Sequence, residues 1–304
     1  MPPLATTSVS KGFDSVFTEI KSSRKLNLKN DNCLRLFCLD IANNSFTYTG
    51  LHQYLQRNIG RYVFSRATID QLISEGDADA IGLKAIELLR TAKNEKDNGA
   101  GGELGEILLY LLLEQKLNAP KLLSKVELKT SGNQYVFGSD GVHLLSLGDK
   151  QFQLILGESK IKGDLKDAVD DAFGSITKVA ADPSNEIRLI EKNIFSESFN
   201  DEDAEFIASL IVPQKRNTSV SVDNAFGIFL GYTLDIDPSK YDNTEFRDAV
   251  FSKVREDIEE IADHIEKKIS KTGLFGYSFY FFIIPFNHAP DDRATIINKL
   301  RGEG

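Results

Sequence analysis

The stretch Phe152-Gln153-Leu154-Ile155-Leu156-Gly157-Glu158-Ser159-Lys160 decides how the fold of this chain is interpreted. Its apolar part predicts a buried β-strand, and its end carries two opposite charges. Because successive side chains on a strand point to opposite faces, Glu158 and Lys160 leave the same face of the sheet. Burying a carboxylate and an ammonium group is unfavourable unless they are paired or used in chemistry. The strand end is therefore the first candidate for a functional site.

A second carboxylate precedes this strand in a turn-like sequence, Ser139-Asp140-Gly141. Asp140 and Glu158 could together hold a divalent metal ion, because hard cations prefer oxygen ligands. Lys160 would then lie where it can act on a water molecule or a phosphate. The alternatives are an Asx turn at Asp140 and a solvated ion pair of Glu158 with Lys160.

The Glu-x-Lys pattern is not specific by itself, because the chain contains several copies. They are Glu19-Ile20-Lys21, Glu114-Gln115-Lys116, Glu127-Leu128-Lys129, Glu158-Ser159-Lys160 and Glu266-Lys267-Lys268. The second and fifth lie in helical patterns, where residues two apart point in different directions, and the first lies in a polar stretch. Glu127 and Lys129 lie on a plausible strand and form the rival pair. Only Glu158 and Lys160 end a long apolar strand, follow an acidic turn and lead into a helix.

The rest of the pattern predicts an α/β protein. We expect strands over residues 34–41, 122–130, 142–147, 151–161, 225–234 and 276–284, with Pro285 closing the last one. We expect helices over residues 52–64, 68–93 (interrupted near Gly76), 103–116, 164–181, 244–270 and 289–300. The C-terminal strand, helix and strand form a βαβ unit, which favours a parallel pair.

A polar, glycine-rich run over residues 94–102 indicates a loop or a domain boundary. We therefore divide the chain into a mostly helical N-terminal region, residues 1–97, and an α/β domain, residues 98–304.

Composition is that of an ordinary globular protein, with 41% hydrophobic and 27% charged residues. The net charge of −9 argues against a protein that binds nucleic acid without a partner, since such proteins usually carry a basic face. No apolar run is long enough to span a membrane, and the first residues show no secretory signal, so we expect a cytoplasmic protein. Cys33 and Cys38 are expected to be buried free thiols.

The order of these elements resembles the PD-(D/E)xK nuclease superfamily. Its restriction-endonuclease-like core, a mixed sheet flanked by helices, runs helix, three-stranded meander, helix, strand. The resemblance places its metal-binding Asp at Asp140 and its Glu-x-Lys at Glu158 and Lys160, with the backbone carbonyl of Ser159 as a further metal ligand. Many members also carry a Glu on the first helix after a glycine-rich start, and Glu106 is the better match there.

Glu103 lies one turn before Glu106 and is the alternative on that helix. Either glutamate could instead only favour the helix N-terminus through the helix dipole. His143, three residues after Asp140, is the histidine that could face the site.

A closer resemblance covers nearly the full length. Residues 101–173, with Ser139-Asp140-Gly141-Val142-His143 and Gly157-Glu158-Ser159-Lys160-Ile161-Lys162, are similar to the nuclease subunit of the Hachiman anti-phage defence system. Proteins of that family work with a superfamily-2 helicase partner. The resemblance implies the same partner here, DNA as substrate, and no membrane.

The implied activity is metal-dependent DNA cleavage in anti-phage defence, restrained until the helicase engages DNA. The cofactor would be Mg²⁺, with Mn²⁺ as an alternative. The role of Lys160 stays open between a base and a phosphate contact, and RNA stays open as a substrate. The rival function is a non-catalytic interaction subunit that keeps the nuclease fold as a platform for the helicase.

Overall fold

The computed structural model describes residues 4–91, 102–130, 138–193, 201–212 and 219–303. The strands in these ranges are β1 (Thr18–Ile20), β2 (Asn32–Cys38), β3 (Ile41–Ala42), β4 (Ser45–Phe46), β5 (Gly141–Gly148), β6 (Gln151–Ile161), β7 (Ser221–Thr233) and β8 (Ser278–Phe286). The helices are α1 (Phe13–Val16), α2 (Thr49–Val63), α3 (Arg66–Ser74), α4 (Ile81–Thr91), α5 (Glu103–Leu117), α6 (Lys125–Thr130), α7 (Leu165–Ala181), α8 (Ser184–Asn193), α9 (Asp201–Ile211), α10 (Asn243–Thr272) and α11 (Ala289–Arg301).

One mixed sheet organises the chain and confirms the predicted α/β class. Its six strands lie in the order β1-β2-β8-β7-β6-β5, while β3 and β4 form a separate small hairpin. The β5–β6 and β1–β2 pairs are antiparallel, and the β6–β7, β7–β8 and β2–β8 pairs are parallel. The parallel β7–β8 pair, linked by α10, confirms the predicted βαβ unit.

Strand β2 belongs to the N-terminal region, yet it pairs with β8 near the C-terminus. The sheet is therefore built from both sides of the predicted division at residues 97 and 98. That division falls in residues 92–101, outside the described residues, and it stays a prediction.

Helices cover both faces of the sheet. Helices α5 and α11 pack on one face, with α2 beyond them, and α7 packs on the other face. Phe173 of α7 stacks on Phe279 of β8, and the hydroxyl of Tyr232 on β7 donates to Asp257 of α10 (2.8 Å). This arrangement buries both sides of the parallel strands, as their apolar sequences require. None of the helices in the described part of the chain is both long enough and apolar enough to cross a membrane.

Helix starts follow local capping chemistry. The side chain of Asp164 accepts a hydrogen bond from the backbone N–H of Asp167 (3.0 Å) and begins α7 directly after β6. Asp242 and Glu245 form a capping box that begins α10, which confirms the predicted helix start. The predicted interrupted helix over residues 68–93 is observed as α3 and α4, which are separated by a turn at Gly76.

Helix α5 lies unusually close to the sheet because glycines remove side chains on both sides of the contact. A Cβ atom at Gly105 would lie 2.9 Å from the hydroxyl of Ser159 on β6. A Cβ atom at Gly157 would lie 2.9 Å from Leu109, and one at Gly227 would lie 2.8 Å from Leu113. Positions 105, 109 and 113 form one stripe of the helix. This stripe fixes the helix against β6 and β7.

The predicted strand over residues 122–130 is wrong, since residues 125–130 form helix α6. The apolar alternation there arises because Val126 and Leu128 are both buried on a short helix that packs against α2 and α4. The carboxylate of Glu127 accepts hydrogen bonds from the backbone N–H of Ser65 (2.6 Å) and from the hydroxyl of Thr68 at the start of α3. The rival Glu-x-Lys glutamate therefore has a structural role.

Among the described residues, one isolated β-bridge lies where the resemblance implied the first strand of a meander. The N–H of Leu122 donates to the carbonyl of Val142 (2.8 Å), and the N–H of Leu144 donates to the carbonyl of Pro120 (3.0 Å). In the described residues, this bridge at Lys121 and His143 is the pairing on the outer edge of β5.

Pro285 does not close the last strand, because β8 continues to Phe286. The carbonyl of Phe286 accepts from Leu234 and so points toward β7. The backbone nitrogen of Pro285 therefore points to the opposite side, toward β2. Pro285 lies beyond the last β2–β8 pair, which is Leu36 with Ile283. A proline is tolerated there because no ladder hydrogen bond requires its missing N–H.

We expect Gly227→Ala to destabilise the fold, because the added methyl group would overlap Leu113 and Ile155. The free energy of unfolding in urea should fall by about 1–3 kcal/mol. Gly174→Ala is the matched control, since Gly174 lies exposed on α7 with nothing within 4 Å of an added Cβ. That change should raise the stability by about 0.5–1 kcal/mol through helix propensity. Equal effects of the two changes would contradict the proposed close contact of α5.

Candidate functional site

Glu158 and Lys160 form an ion pair at the carboxyl end of β6. The ammonium of Lys160 donates to Oε1 of Glu158, as expected for side chains on the same face of a strand. Glu158 is only 3% exposed, and it also interacts with the hydroxyl of Ser175 on α7. The pair is thus largely buried under α7, and the alternative of a solvated ion pair is wrong.

Burial dominates the electrostatics of Glu158. Desolvation raises the pKa of its carboxyl group to about 7, and the carboxylate of Asp140 adds to this effect. The ammonium of Lys160 acts in the opposite direction but does not compensate. Partial burial lowers the pKa of Lys160, yet the Glu158 carboxylate outweighs it, so the pKa of Lys160 lies above its ordinary value.

Asp140 lies directly before the start of β5, beside the carboxyl end of β6. Its backbone N–H donates to the carbonyl of Gly157 (2.7 Å). Its carboxylate accepts from both the backbone N–H and the hydroxyl of Ser159, each at 2.8 Å. The side chain therefore binds the neighbouring strand, and these contacts are not those of a local Asx turn.

Ser159 contacts the candidate site through its backbone. In a strand, the N–H and the carbonyl of one residue point to the same side. Because the N–H of Ser159 meets Asp140, its carbonyl also points toward the side of β5, beyond the last β5–β6 pair at Gly141 and Gly157. This is the direction that the predicted role as a metal ligand requires. The side chain of Ser159 packs against Gly105 of α5, and its hydroxyl donates to the carboxylate of Asp140 (2.8 Å).

The two glutamates at the start of α5 have different partners. Glu103 pairs with the guanidinium of Arg301, which is buried at the end of α11. Glu106 accepts a hydrogen bond from the hydroxyl of Tyr62 (3.0 Å) and lines a small cavity together with Asp140. Of the two, Glu106 is therefore the one that shares a cavity with a predicted metal ligand.

The predicted residues surround the end of β6 but do not share one face of the sheet. Glu158 and Lys160 lie on the α7 face, Glu106 lies on the α5 face, and Asp140 lies at the edge between them. Within the described ranges, no three His, Cys, Asp or Glu side chains are close enough to hold one metal ion.

Sequence reasoning did not find Tyr62 or Ser175, which contact the site glutamates. Tyr62 comes from α2, far along the chain from Glu106, and no local pattern links the two residues. Ser175 could have been suggested by its position on the buried side of the helix that follows β6.

His143 is buried and lines the same cavity as Asp140 and Glu106. Its Nδ1 lies 2.8 Å from the carbonyl of Ala119, which can only accept, so Nδ1 carries the hydrogen. Burial lowers the pKa of His143 to about 4. The ring is therefore neutral at physiological pH.

The donor set fits a hard divalent cation such as Mg²⁺. Asp140 and Glu158 provide two carboxylates, and the charge of Asp140 adds to the effect of burial in raising the pKa of Glu158. A cation would relieve this repulsion. Mg²⁺ commonly takes one or two carboxylates and keeps several water ligands, so a third acidic side chain is not required. The residues that would hold it are Asp140, Glu158 and the carbonyl of Ser159.

The fold and the site define a mixed α/β protein with a buried carboxylate paired with a partly buried lysine at the end of an inner strand. A family model described as HamA matches residues 13–300. Because this match spans nearly the whole chain, the protein belongs to the HamA family. Membership confirms the resemblance to the Hachiman system and supports a role in Hachiman defence. No curated protein matches the chain significantly.

We expect Glu158→Gln to remove a pH dependence of stability in the chain without divalent cations. The pKa of Glu158 is about 7 in the folded chain against an ordinary 4.5, so the native state binds the extra proton between these values. The free energy of unfolding should therefore fall as the pH rises from 4.5 to 7, by at most about 3 kcal/mol.

Urea unfolding in the presence of a chelator measures this pH profile. Glu158→Gln should remove the fall in the free energy of unfolding between pH 4.5 and pH 7. Glu266→Gln, in a Glu-x-Lys triplet on α10, is the control and should keep the wild-type profile. Parallel profiles for the wild type and Glu158→Gln would contradict the assignment of the buried titrating group.

Proposed function

We propose that this chain is a metal-dependent nuclease that hydrolyses phosphodiester bonds of DNA in Hachiman defence, together with a superfamily-2 helicase. The observation that carries the proposal is the buried carboxylate of Glu158, which lies beside Asp140 and is paired with Lys160 at a strand end. A buried ionisable cluster of this kind is costly for the fold, and such clusters concentrate at functional sites.

Phosphodiester hydrolysis requires an attacking water, neutralisation of the phosphoryl oxygens and a stabilised leaving alkoxide. Mg²⁺, when bound, supplies charge neutralisation and an activated water. Asp140 and Glu158 would hold it, with the carbonyl of Ser159 completing the protein ligands. Ser159 also orients Asp140 through two hydrogen bonds, which keeps that carboxylate at the edge of the sheet. Glu106, which shares a cavity with Asp140, is the candidate ligand for a second cation.

Lys160 has two possible roles in this proposal. Its pKa is raised by the neighbouring carboxylate of Glu158. A cation bound by Glu158 would compete for this carboxylate and lower the pKa of the lysine, so the role of Lys160 stays open between a base that takes a proton from water and a donor of hydrogen bonds to a phosphoryl oxygen.

The net charge of the chain supports the proposal that a partner protein, and not this chain, supplies most of the affinity for DNA. At −9, the protein offers little general attraction for the DNA backbone. A helicase subunit that binds and presents DNA would supply this affinity. Membership of the HamA family is consistent with such a partner.

We expect Glu158→Ala and Lys160→Ala each to reduce Mg²⁺-dependent cleavage of plasmid DNA on the order of a hundredfold or more. The assay uses the full chain alone and in complex with its helicase, with chelator as the metal-free reference. Lys268→Ala is the matched control, because Lys268 also ends a Glu-x-Lys triplet and pairs with Asp170. Its side chain is 27% exposed, compared with 25% for Lys160. It should leave cleavage unchanged.

Three outcomes separate the candidate functions. Equal cleavage by the wild type, Glu158→Ala and Lys160→Ala would contradict the assignment of Glu158 and Lys160 to the catalytic site. A complex that forms but cleaves no nucleic acid in any variant supports the non-catalytic platform. Cleavage of RNA instead of DNA in a substrate panel keeps the site but changes the substrate.

A further inference from the structure

A tyrosine from the N-terminal region contacts the candidate site. The hydroxyl of Tyr62 on α2 donates to Oε2 of Glu106 at 3.0 Å. Tyr62 and Glu106 line the same small cavity as Asp140, and Tyr62 is buried. A hydrogen bond to a charged acceptor away from water is among the stronger ones in proteins, so it restricts how the Glu106 carboxylate can turn.

The end of α2 that carries Tyr62 is itself fixed by a buried lysine. The ammonium of Lys121 donates to the backbone carbonyls of Arg61 (2.7 Å), Tyr62 (2.9 Å) and Phe64 (3.1 Å), and lies 2.7 Å from the hydroxyl of Ser124. The backbone of Tyr62 is therefore held directly.

Packing fixes the ring of Tyr62 as well. Its centroid lies 5.7 Å from the ring of Tyr110 on α5, the same helix that carries Glu106. A carboxylate can only accept, so the hydroxyl of Tyr62 is the donor of this hydrogen bond.

We propose that Tyr62 is a positioning residue that holds the carboxylate of Glu106 toward the cavity it shares with Asp140, ready to bind a divalent cation. This inference rests on the proposed nuclease function, in which Glu106 is a candidate ligand. It extends the site beyond the α/β core to a helix before residue 97. Groups that orient metal ligands in this way commonly contribute tenfold to a hundredfold in metal affinity, as an order of magnitude.

Terbium(III) is a suitable probe, because it is a hard cation that prefers oxygen ligands, and excited tyrosines nearby sensitise its luminescence. The chain has nine tyrosines and no tryptophan, so excitation in the tyrosine band reports on tyrosine alone. The full chain is titrated with terbium, and Mg²⁺ is then added as a competitor. The variants are Tyr62→Phe, Glu106→Gln, the double variant and Glu158→Gln.

Tyr110→Phe is the matched control. It removes a hydroxyl from the same aromatic cluster, but that hydroxyl contacts Thr7 (2.8 Å) instead of Glu106. We expect Tyr62→Phe to lower the terbium and Mg²⁺ affinities by about tenfold to a hundredfold and to remove most of the sensitised emission. Tyr110→Phe should keep the wild-type affinity. The double variant should bind no more weakly than Glu106→Gln alone, because the two residues act as one unit.

Wild-type affinity in Tyr62→Phe, or equal losses in Tyr62→Phe and Tyr110→Phe, overturns the proposal. If only Glu158→Gln loses affinity, the inference about Tyr62 fails while the nuclease site stands. If the wild-type chain binds neither terbium nor Mg²⁺, both the inference and the proposed function are overturned. Thermal melting of each variant shows whether a loss of binding is only a loss of folding.

Discussion

The contact of helix α5 with strands β6 and β7 is the constraint on which the rest of the structure depends. Gly105, Gly157 and Gly227 remove the side chains that would otherwise hold the helix away from the sheet. The remaining surface of α5 is almost entirely apolar and buried, so the helix has little freedom to turn or slide. Its first turn is thereby brought beside the end of β6, where the charged residues of the sheet lie.

The charges at that end are distributed over both faces of the sheet. Glu158 and Lys160 lie under α7, Glu106 lies on α5 beside α2, and Asp140 lies at the edge directly before β5 begins. The raised pKa of Glu158 shows that its lysine partner does not fully compensate burial and the second carboxylate. A divalent cation at the edge would complete this charge balance, and no contact within the described residues does so.

Sequence reasoning predicted the parts of this structure that depend on local pattern. Strand β6, helices α7 and α10, and the common face of Glu158 and Lys160 follow from hydrophobic periodicity and strand geometry. Residues 122–130 were predicted wrongly, because a short helix buried on several sides shows the same alternation as a strand. The contact of Tyr62 with Glu106 could not be predicted, since it depends on how α2 packs against α5, far from it along the chain.

A crystal structure of the full chain with Mn²⁺ tests the central claim most directly, because anomalous scattering locates this ion without ambiguity. We expect a peak at the edge of the sheet, ligated by the carboxylates of Asp140 and Glu158 and by the carbonyl of Ser159, with the contact between Glu158 and Lys160 loosened. A chain that shows no ion there at saturating Mn²⁺, with Glu158 still paired only to Lys160, would contradict the assignment of this strand end as a metal site.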